Sequence, residues 1–259
     1  MSVQDKNLKI AKPVRITESN YHVNVVIPFC GQYHLVIRLV ESILRLVRTP
    51  KYKITLVDDG SKSSNLQNSF AKIGGVTVLR NDKTLGFGAS VNKAVKESDT
   101  DFVCVVHSDV ILTSPNLFSS LAQCLIEMKN DKVAFVSART NNPMSRDLPF
   151  LQATEAEAGS PVIIQTNQYL PFICTMFSRP VFQKLGGFFE FPHCWFEDKL
   201  LSMQCHSCGY RMAVDPASYV IHDGAMTIKS MAKQDSNFID AIKANYATYQ
   251  NQIKVQNLS

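Results

Sequence analysis

A chain of 259 residues, 45% apolar and 19% charged, has the composition of an ordinary globular protein and room for one large α/β domain or two small ones. No apolar run approaches the ~18 residues of a membrane span, and the opening stretch MSVQDKNLKIAKPVRITESN lacks the apolar core of a secretory signal. The net charge of +5 is uneven: residues 1–54 hold nine Lys/Arg against three Asp/Glu, a basic region that serves solubility first and an anionic partner second.

In chain order, residues 1–20 are polar and read as an arm. HVNVVIPF (22–29) alternates, then runs apolar to Pro28: a strand. YHLVIRLVESILRLVR (33–48) carries apolar residues at 35, 36, 39, 40, 43, 44, 46 and 47, a helix with a broad buried face. YKITLVDDGS (52–61) is a strand ending in acids and Gly60. NSFAKIGG closes a helix on a glycine pair. VTVLRN (76–81) is a third strand, and LGFGASVNKAVKES (85–98) turns on glycine into a helix. DFVCVVHSD (101–109) is a fourth strand, NLFSSLAQCLIEMK (116–129) a helix, KVAFVSA (132–138) a fifth strand. Residues 139–180 are less regular. LPFICTMFSRPVFQKLGGFFEF reads as a buried strand, a short helix and a Gly-Gly stop. WFEDKLLSMQCHSCGY is a helix opened by an acidic pair. YRMAVDPASYVIHDG reads as a strand, a turn at Asp215–Pro216 and a short strand ending at His222. In the tail, Ile239, Ile242, Tyr246, Tyr249 and Ile253 recur at helical spacing, an amphipathic helix packed on the body or on a second copy.

The seven cysteines sit in apolar segments such as FVCVV and FICTMF and read as free thiols of a reducing, cytoplasmic compartment. Cys205 and Cys208 form one close pair, but no second pair follows at zinc-finger spacing.

Strands alternating with helices over residues 22–138 argue an α/β protein with a doubly wound, mainly parallel sheet. Ligands of such sheets sit beyond the carboxyl ends of the strands. Pro28–Phe29, Asp58–Asp59, Arg80–Asn81 and His107–Ser108–Asp109 all fall there. The aspartate that ends the apolar run Phe102–Val106 suits a hard divalent cation, which prefers carboxylate oxygens and neutralises a departing diphosphate. His222, at a later strand end, is a second ligand candidate.

The segments VVIPFCGQYHLVIRLVESIL, ITLVDDGS, LRNDKTLGFGASVNKAV, FVCVVHSDV, LGGFFEFPHCWFEDKLL and VIHDG, in that order over residues 22–225, resemble family 2 glycosyltransferases of GT-A fold. The resemblance implies a nucleotide-sugar-binding half (21–138) fused to an acceptor half (139–225), between the arm (1–20) and the C-terminal helix (226–259). It implies that Asp58 and Asp59 hold the nucleobase and ribose, Asp59 by direct contact, in a pocket lined by Pro28, Phe29, Arg80 and Asn81. Gly86 and Gly88 would let the nucleotide approach the backbone, and Asn92 would support the metal loop. HSD matches the family's Asp-x-Asp with His107 in place of the first acid. His107 and Ser108 would then join the donor site, while Asp109 and His222 hold Mn2+ or Mg2+. Gly187 would face the sugar and Trp195 stack on an acceptor ring. In FED, Asp198 would be the general base and Glu197 its acidic partner. Phe189 ahead of Glu190, Leu200 and Gln204 depart from the family pattern on the acceptor side.

The implied activity is inverting transfer from a nucleotide-diphospho-sugar, uridine-linked, to a glycan or glycolipid; hydroxylated DNA is the less favoured acceptor. The tail helix implies a homo-oligomer, and the basic region a periphery to membranes. The rival expectation is a degenerate module that binds the nucleotide sugar without turnover.

Overall fold

The computed structural model describes residues 21–62, 70, 72–143, 148–224 and 237–257. The polar arm (1–20), most of the helix expected to end at Gly74–Gly75, and residues 226–236 and 258–259 of the expected C-terminal segment lie outside the described residues.

The elements run β1 (His22–Phe29), α1 (Tyr33–Leu46), β2 (Lys51–Asp59), β3 (Val76–Asn81), α2 (Phe87–Lys96), β4 (Phe102–Val106), β5 (Val110–Leu112) and α3 (Leu117–Glu127). They continue with β6 (Val133–Thr140), β7 (Val162–Ile163), β8 (Cys174–Ser178), α4 (Arg179–Lys184), α5 (Glu197–Ser207), β9 (Arg211–His222) and α6 (Phe238–Asn257). Nine strands form one sheet in the order β3-β2-β1-β4-β8-β6-β9-β5, with β7 on β9. The four leading strands are parallel, β8 is antiparallel to both β4 and β6, and β9 runs parallel to β6. Strands β1, β2, β3, β4, β6 and β9 therefore all point the same way.

The apolar runs are continuous because both faces of the sheet are covered. Val25, Ile27, Cys104 and Val106 pack with Val36, Leu39 and Ile43 of α1 and Leu121 of α3. Their neighbours Val26, Val103 and Val105 face the other way, onto Val91 of α2, Phe182 of α4 and Leu201 of α5. The result is a helix–sheet–helix sandwich whose few mid-strand polar side chains pair with one another, Thr55 with Asn24 and Thr175 with Ser137, and whose other polar clusters lie at the strand ends.

Two elements escape the sequence reading, β5 and β7, both too short to show a period. The expected strand–turn–strand at 210–222 is one bent strand. Register jumps from Asp215 opposite Ala138 to Tyr219 opposite Arg139, at Pro216, which has no N–H to give the ladder. Buried Asp215 holds the bend by accepting from the Ser120 and Ser218 hydroxyls and from the Ala217 amide. Past the bend, β9 pairs with β5 and ends at His222.

On α6 the expected stripe is met in part: Ile242, Tyr249 and Ile253 are half-buried, but its start is displaced by one residue. Ile239 is 56% exposed, whereas Phe238 and Asn245 are buried. Among the described residues no helix is long and apolar enough to cross a membrane.

Candidate active site

The carboxyl edge of the parallel strands brings the expected polar pairs side by side: Phe29 lies opposite Asp58 and Asp58 opposite Arg80. Asp58 accepts from Arg80 and from the Ser61 amide, 2.9 Å. Asp59 accepts from Asn81 and Leu85 N at 2.8 Å on one oxygen and from Gly86 N at 2.9 Å on the other. Asp59 is thus the residue that organises the turn into α2, and both aspartates are buried.

Three expected roles come out differently. A Cβ on Gly86, at φ +106°, would lie 2.1 Å from the Phe191 carbonyl oxygen and 2.7 Å from that of His193. Gly88 likewise meets the Phe189 carbonyl. These glycines admit the backbone of 189–193, not the donor. Gly187 abuts Asn92 and the Phe182 ring. Asn92 exchanges hydrogen bonds with Phe188 N (2.9 Å) and O (2.8 Å) and donates to Glu190 (3.0 Å), so it holds the 187–190 loop, not the metal loop. Gly86→Ala is accordingly expected to cost about 1–3 kcal/mol or more of stability, the scale of a forced backbone conformation, read as a lowered melting temperature.

At the end of β4 the chain makes a tight turn, with Val110 N donating to His107 O at 3.1 Å, and re-enters the sheet as β5. Val110 pairs with His222, and Asp223 N donates to Asp109 O at 3.1 Å. The turn thereby delivers His107, buried Ser108 and Asp109 to the end of β9. Ligand atoms of His107, Asp109 and His222 all lie within 4.8 Å of one another. His222 is 1% exposed. Its Nδ1 faces the Asn142 carbonyl at 2.8 Å, an acceptor only, so Nδ1 carries the proton and Nε2 keeps a bare lone pair. That Nε2 is 3.2 Å from Asp109 Oδ1, yet it is out of line for a hydrogen bond and stands buried without one. A buried lone pair aimed beside a carboxylate is what a cation would satisfy. Burial pushes the His107 imidazolium down to about 4, which leaves a neutral ring able to ligate. His107, expected only as a donor contact, thus belongs to the cluster. Asn141 and Asn142, read as plain loop, orient His222 from backbone to ring.

His107 also lines a cavity of about 330 Å³, a size typical of small-ligand sites, together with Glu197, Asp198 and Lys199. Tyr169, Phe172, Trp195 and Phe196 give it aromatic sides. Trp195 is 43% exposed, so it is a surface of the cavity and not core. Burial raises both carboxyls above the usual carboxylate range. Asp198 rises to about 6, and Glu197, also facing the Asp198 charge, to about 8. One Glu197 oxygen is buried with no partner.

The native state therefore binds Glu197's proton more tightly than the unfolded chain does. This contribution to stability is full below the unfolded value near 4.5 and is lost as pH rises toward 8. Glu197→Gln is expected to remove that decline, at most about 1.4 kcal/mol per pH unit, in melting temperatures measured across this window.

The acid pair is presented by a strained stretch. His193, Trp195 and Phe196 have φ of 66°, 84° and 78°, a region that costs a non-glycine residue about 1–3 kcal/mol. The stretch is tied to the sheet by Phe87 N donating to His193 O at 2.7 Å and to α6 by Asn245. Farther along α5, Gln204 reaches Cys208 Sγ, and neither cysteine of CHSC joins a group of metal-ligating side chains among the described residues.

A family model described as Glycosyl transferase family 2 matches residues 24–186, more than half of the chain. The O-antigen biosynthesis protein RfbC of Myxococcus xanthus is 21% identical over 250 residues, 89% of this chain but 19% of that protein. An uncharacterized protein, y4gI, of Sinorhizobium fredii is 29% identical over 103 residues, 38% of this chain and 11% of that one. The chain thus spans a fifth or less of the length of the curated relatives it matches.

Among solved structures, GalNAc-T7 with UDP, GalNAc and Mn2+ superposes with a TM-score of 0.62 at 18% identity, over 78% of this chain and 44% of that one. S. aureus TarS 1-349 with UDP-GlcNAc gives 0.62 at 18%, over 81% and 61%. The mannosyltransferase PcManGT of Pyrobaculum calidifontis with GDP-Man and Mn2+ gives 0.58 at 18%, over 82% and 60%. The shared architecture is the GT-A fold.

Proposed function

Because this chain belongs to glycosyl transferase family 2, we propose that it moves a glycosyl group from a nucleotide-diphospho-sugar to a hydroxyl acceptor, with inversion. The observation that carries the reading is one cavity lined both by His107 of the metal-ligating cluster and by Asp198. Donor phosphates and acceptor hydroxyl can meet there.

His107, Asp109 and His222 would hold a divalent cation, which when bound neutralises the charge developing on the diphosphate. Asp198 takes the proton of the acceptor hydroxyl, making it a better nucleophile for in-line attack at the anomeric carbon. Glu197, with the more strongly raised pKa, keeps its proton at neutral pH and leaves Asp198 as the ionised partner. A single base and direct displacement give inversion. Asp58, Asp59, Arg80 and Asn81 shape the nucleotide end. A uridine donor is favoured by the family resemblance and by the UDP and UDP-GlcNAc held by GalNAc-T7 and TarS. The aromatic walls suit the apolar face of a sugar ring, and the O-antigen role named for RfbC points to a growing cell-surface glycan as acceptor. Of the basic region 1–54 that suggested DNA or lipid, Arg38, Arg45, Arg48, Lys51 and Lys53 lie on or next to α1 and β2 and do not line the cavity, so neither acceptor gains support from it.

Two imidazoles and one carboxylate are a softer set than Mg2+ prefers. Mn2+ is expected to support turnover and Mg2+ little or none, read by restoring stripped protein with each metal in turn. A thermal-shift screen of nucleotide sugars with Mn2+ tests the donor. Uridine-linked sugars at 100 times their Kd should stabilise by about 2.7 kcal/mol. A screen in which no nucleotide sugar shifts the transition would end the reading. A shift without turnover would leave a binding module.

A further inference from the structure

We infer that Asn245, on the C-terminal helix α6, is a positioning residue: its side-chain amide holds the backbone of 192–196 in the shape that presents Asp198 to the cavity. The inference rests on the reading of Asp198 as the base.

The segment cannot hold this shape by itself. Residues 188–208 contain no glycine, yet His193, Trp195 and Phe196 all take positive φ, and such a conformation persists only where the surroundings impose it. The surroundings are largely α6. Asn245 is 2% exposed, and its Nδ2 donates to the Pro192 carbonyl at 2.8 Å and the Cys194 carbonyl at 3.1 Å. These two carbonyls flank His193, and the second immediately precedes Trp195. Phe238 packs edge-on against His193, ring centroids 5.4 Å apart. Tyr249 stacks on Phe196 at 5.0 Å and 21°. Glu197 and Asp198 follow Phe196 directly and open α5.

An amide buried on the packed stripe of an amphipathic helix forfeits hydration and keeps its place through the hydrogen bonds it makes. An apolar residue would serve packing alone. Helix α6 also lies beyond residues 24–186, the stretch that the family model matches, as does the acid pair. The base of this chain is thus set by an element supplied from its far end.

Trp195 is the chain's single tryptophan, so its fluorescence reports this segment without interference. In Asn245→Ala, kcat is expected to fall about 10²-fold, the scale of a misplaced catalytic group. Affinities for Mn2+ and for UDP should stay within about twofold, since those ligands meet other residues. Acrylamide should quench Trp195 more readily than in the wild type. Asn245→Ser, which retains one donor, should fall between the two, and it decides the matter if the alanine variant does not fold. Ile239→Ala, exposed on the same helix, should match the wild type throughout. Wild-type kcat in Asn245→Ala overturns the inference, whatever the fluorescence. Unchanged Trp195 emission and quenching overturn it as well, even if the wild type turns over no nucleotide sugar. The latter result would separately refute the proposed activity.

Discussion

Asp109→Asn is expected to abolish Mn2+ binding and to lower turnover by on the order of 10³-fold or more, the equivalent of several kcal/mol of charge stabilisation. The substitution keeps the size of the side chain and removes the only carboxylate from a cluster whose other members are imidazoles. The fold should survive, because the backbone bond from Asp223 N to Asp109 O is untouched and β5 keeps its pairing with β9. The melting temperature without metal should therefore stay close to the wild-type value, whereas the rise caused by Mn2+ should vanish. Mn2+ titration and turnover on one preparation check both halves. A variant that binds Mn2+ and turns over like the wild type would remove Asp109 from the metal site.

Asp198→Asn is the second large effect, a fall in kcat of ~10²–10⁴, the share general-base catalysis usually supplies. Asparagine can still accept from Lys199 N, the 2.8 Å bond that Asp198 makes at the start of α5, but it cannot take a proton. Donor and metal affinity should be unchanged. If the carboxylate only complemented the helix dipole, the variant would lose at most ~1 kcal/mol of stability and keep its rate.

The pH profile sharpens the contrast. Burial raises the Asp198 carboxyl to about 6, so wild-type kcat should fall as pH drops through this value and protonates the base. The residual rate of Asp198→Asn should lack that acidic limb. Because Glu197 and Asp198 titrate as a pair, the limb reports the pair's apparent values, and Glu197→Gln should move it without removing it.

The donor half was legible in the sequence because its geometry is local. An apolar run that ends in a polar cluster is a strand pointing its residues at the sheet's carboxyl edge, and β1, β3 and β4 needed nothing more. Asp109 and His222 were legible for the same reason, although 113 positions apart: one follows the apolar strand β4 by three residues and the other ends β9. What brings them together, the three-residue β5 pairing with bent β9, was not, since three residues display no period. His107 was read as a weakened acid position. Its place in the cluster comes from the tight turn after β4, which brings its ring beside Asp109 and His222.

The acceptor half depends on contacts between distant segments, and there the sequence misled. Gly86 and Gly187 carry the mark of close approach, but a glycine does not say what approaches. Here it is the 189–193 backbone and the Asn92 amide. Asn92 and Asn245 each use one side chain to fix a loop remote in sequence, and nothing in the neighbouring residues announces such a partner. The stripe expected on α6 had the right period and was met only in part: Tyr249 stacks on Phe196, whereas Phe238 rather than Ile239 packs inward, against His193.

The most direct test is UDP release by the purified chain from UDP-sugars with a glycan acceptor, measured in Mn2+, in excess EDTA, and after Mn2+ is returned. If His107, Asp109 and His222 hold the cation at the cavity that Asp198 also lines, release is rapid in Mn2+, lost in EDTA and regained on return of the metal. Release that proceeds equally in EDTA, or no release in Mn2+ from a chain that binds UDP, would contradict this.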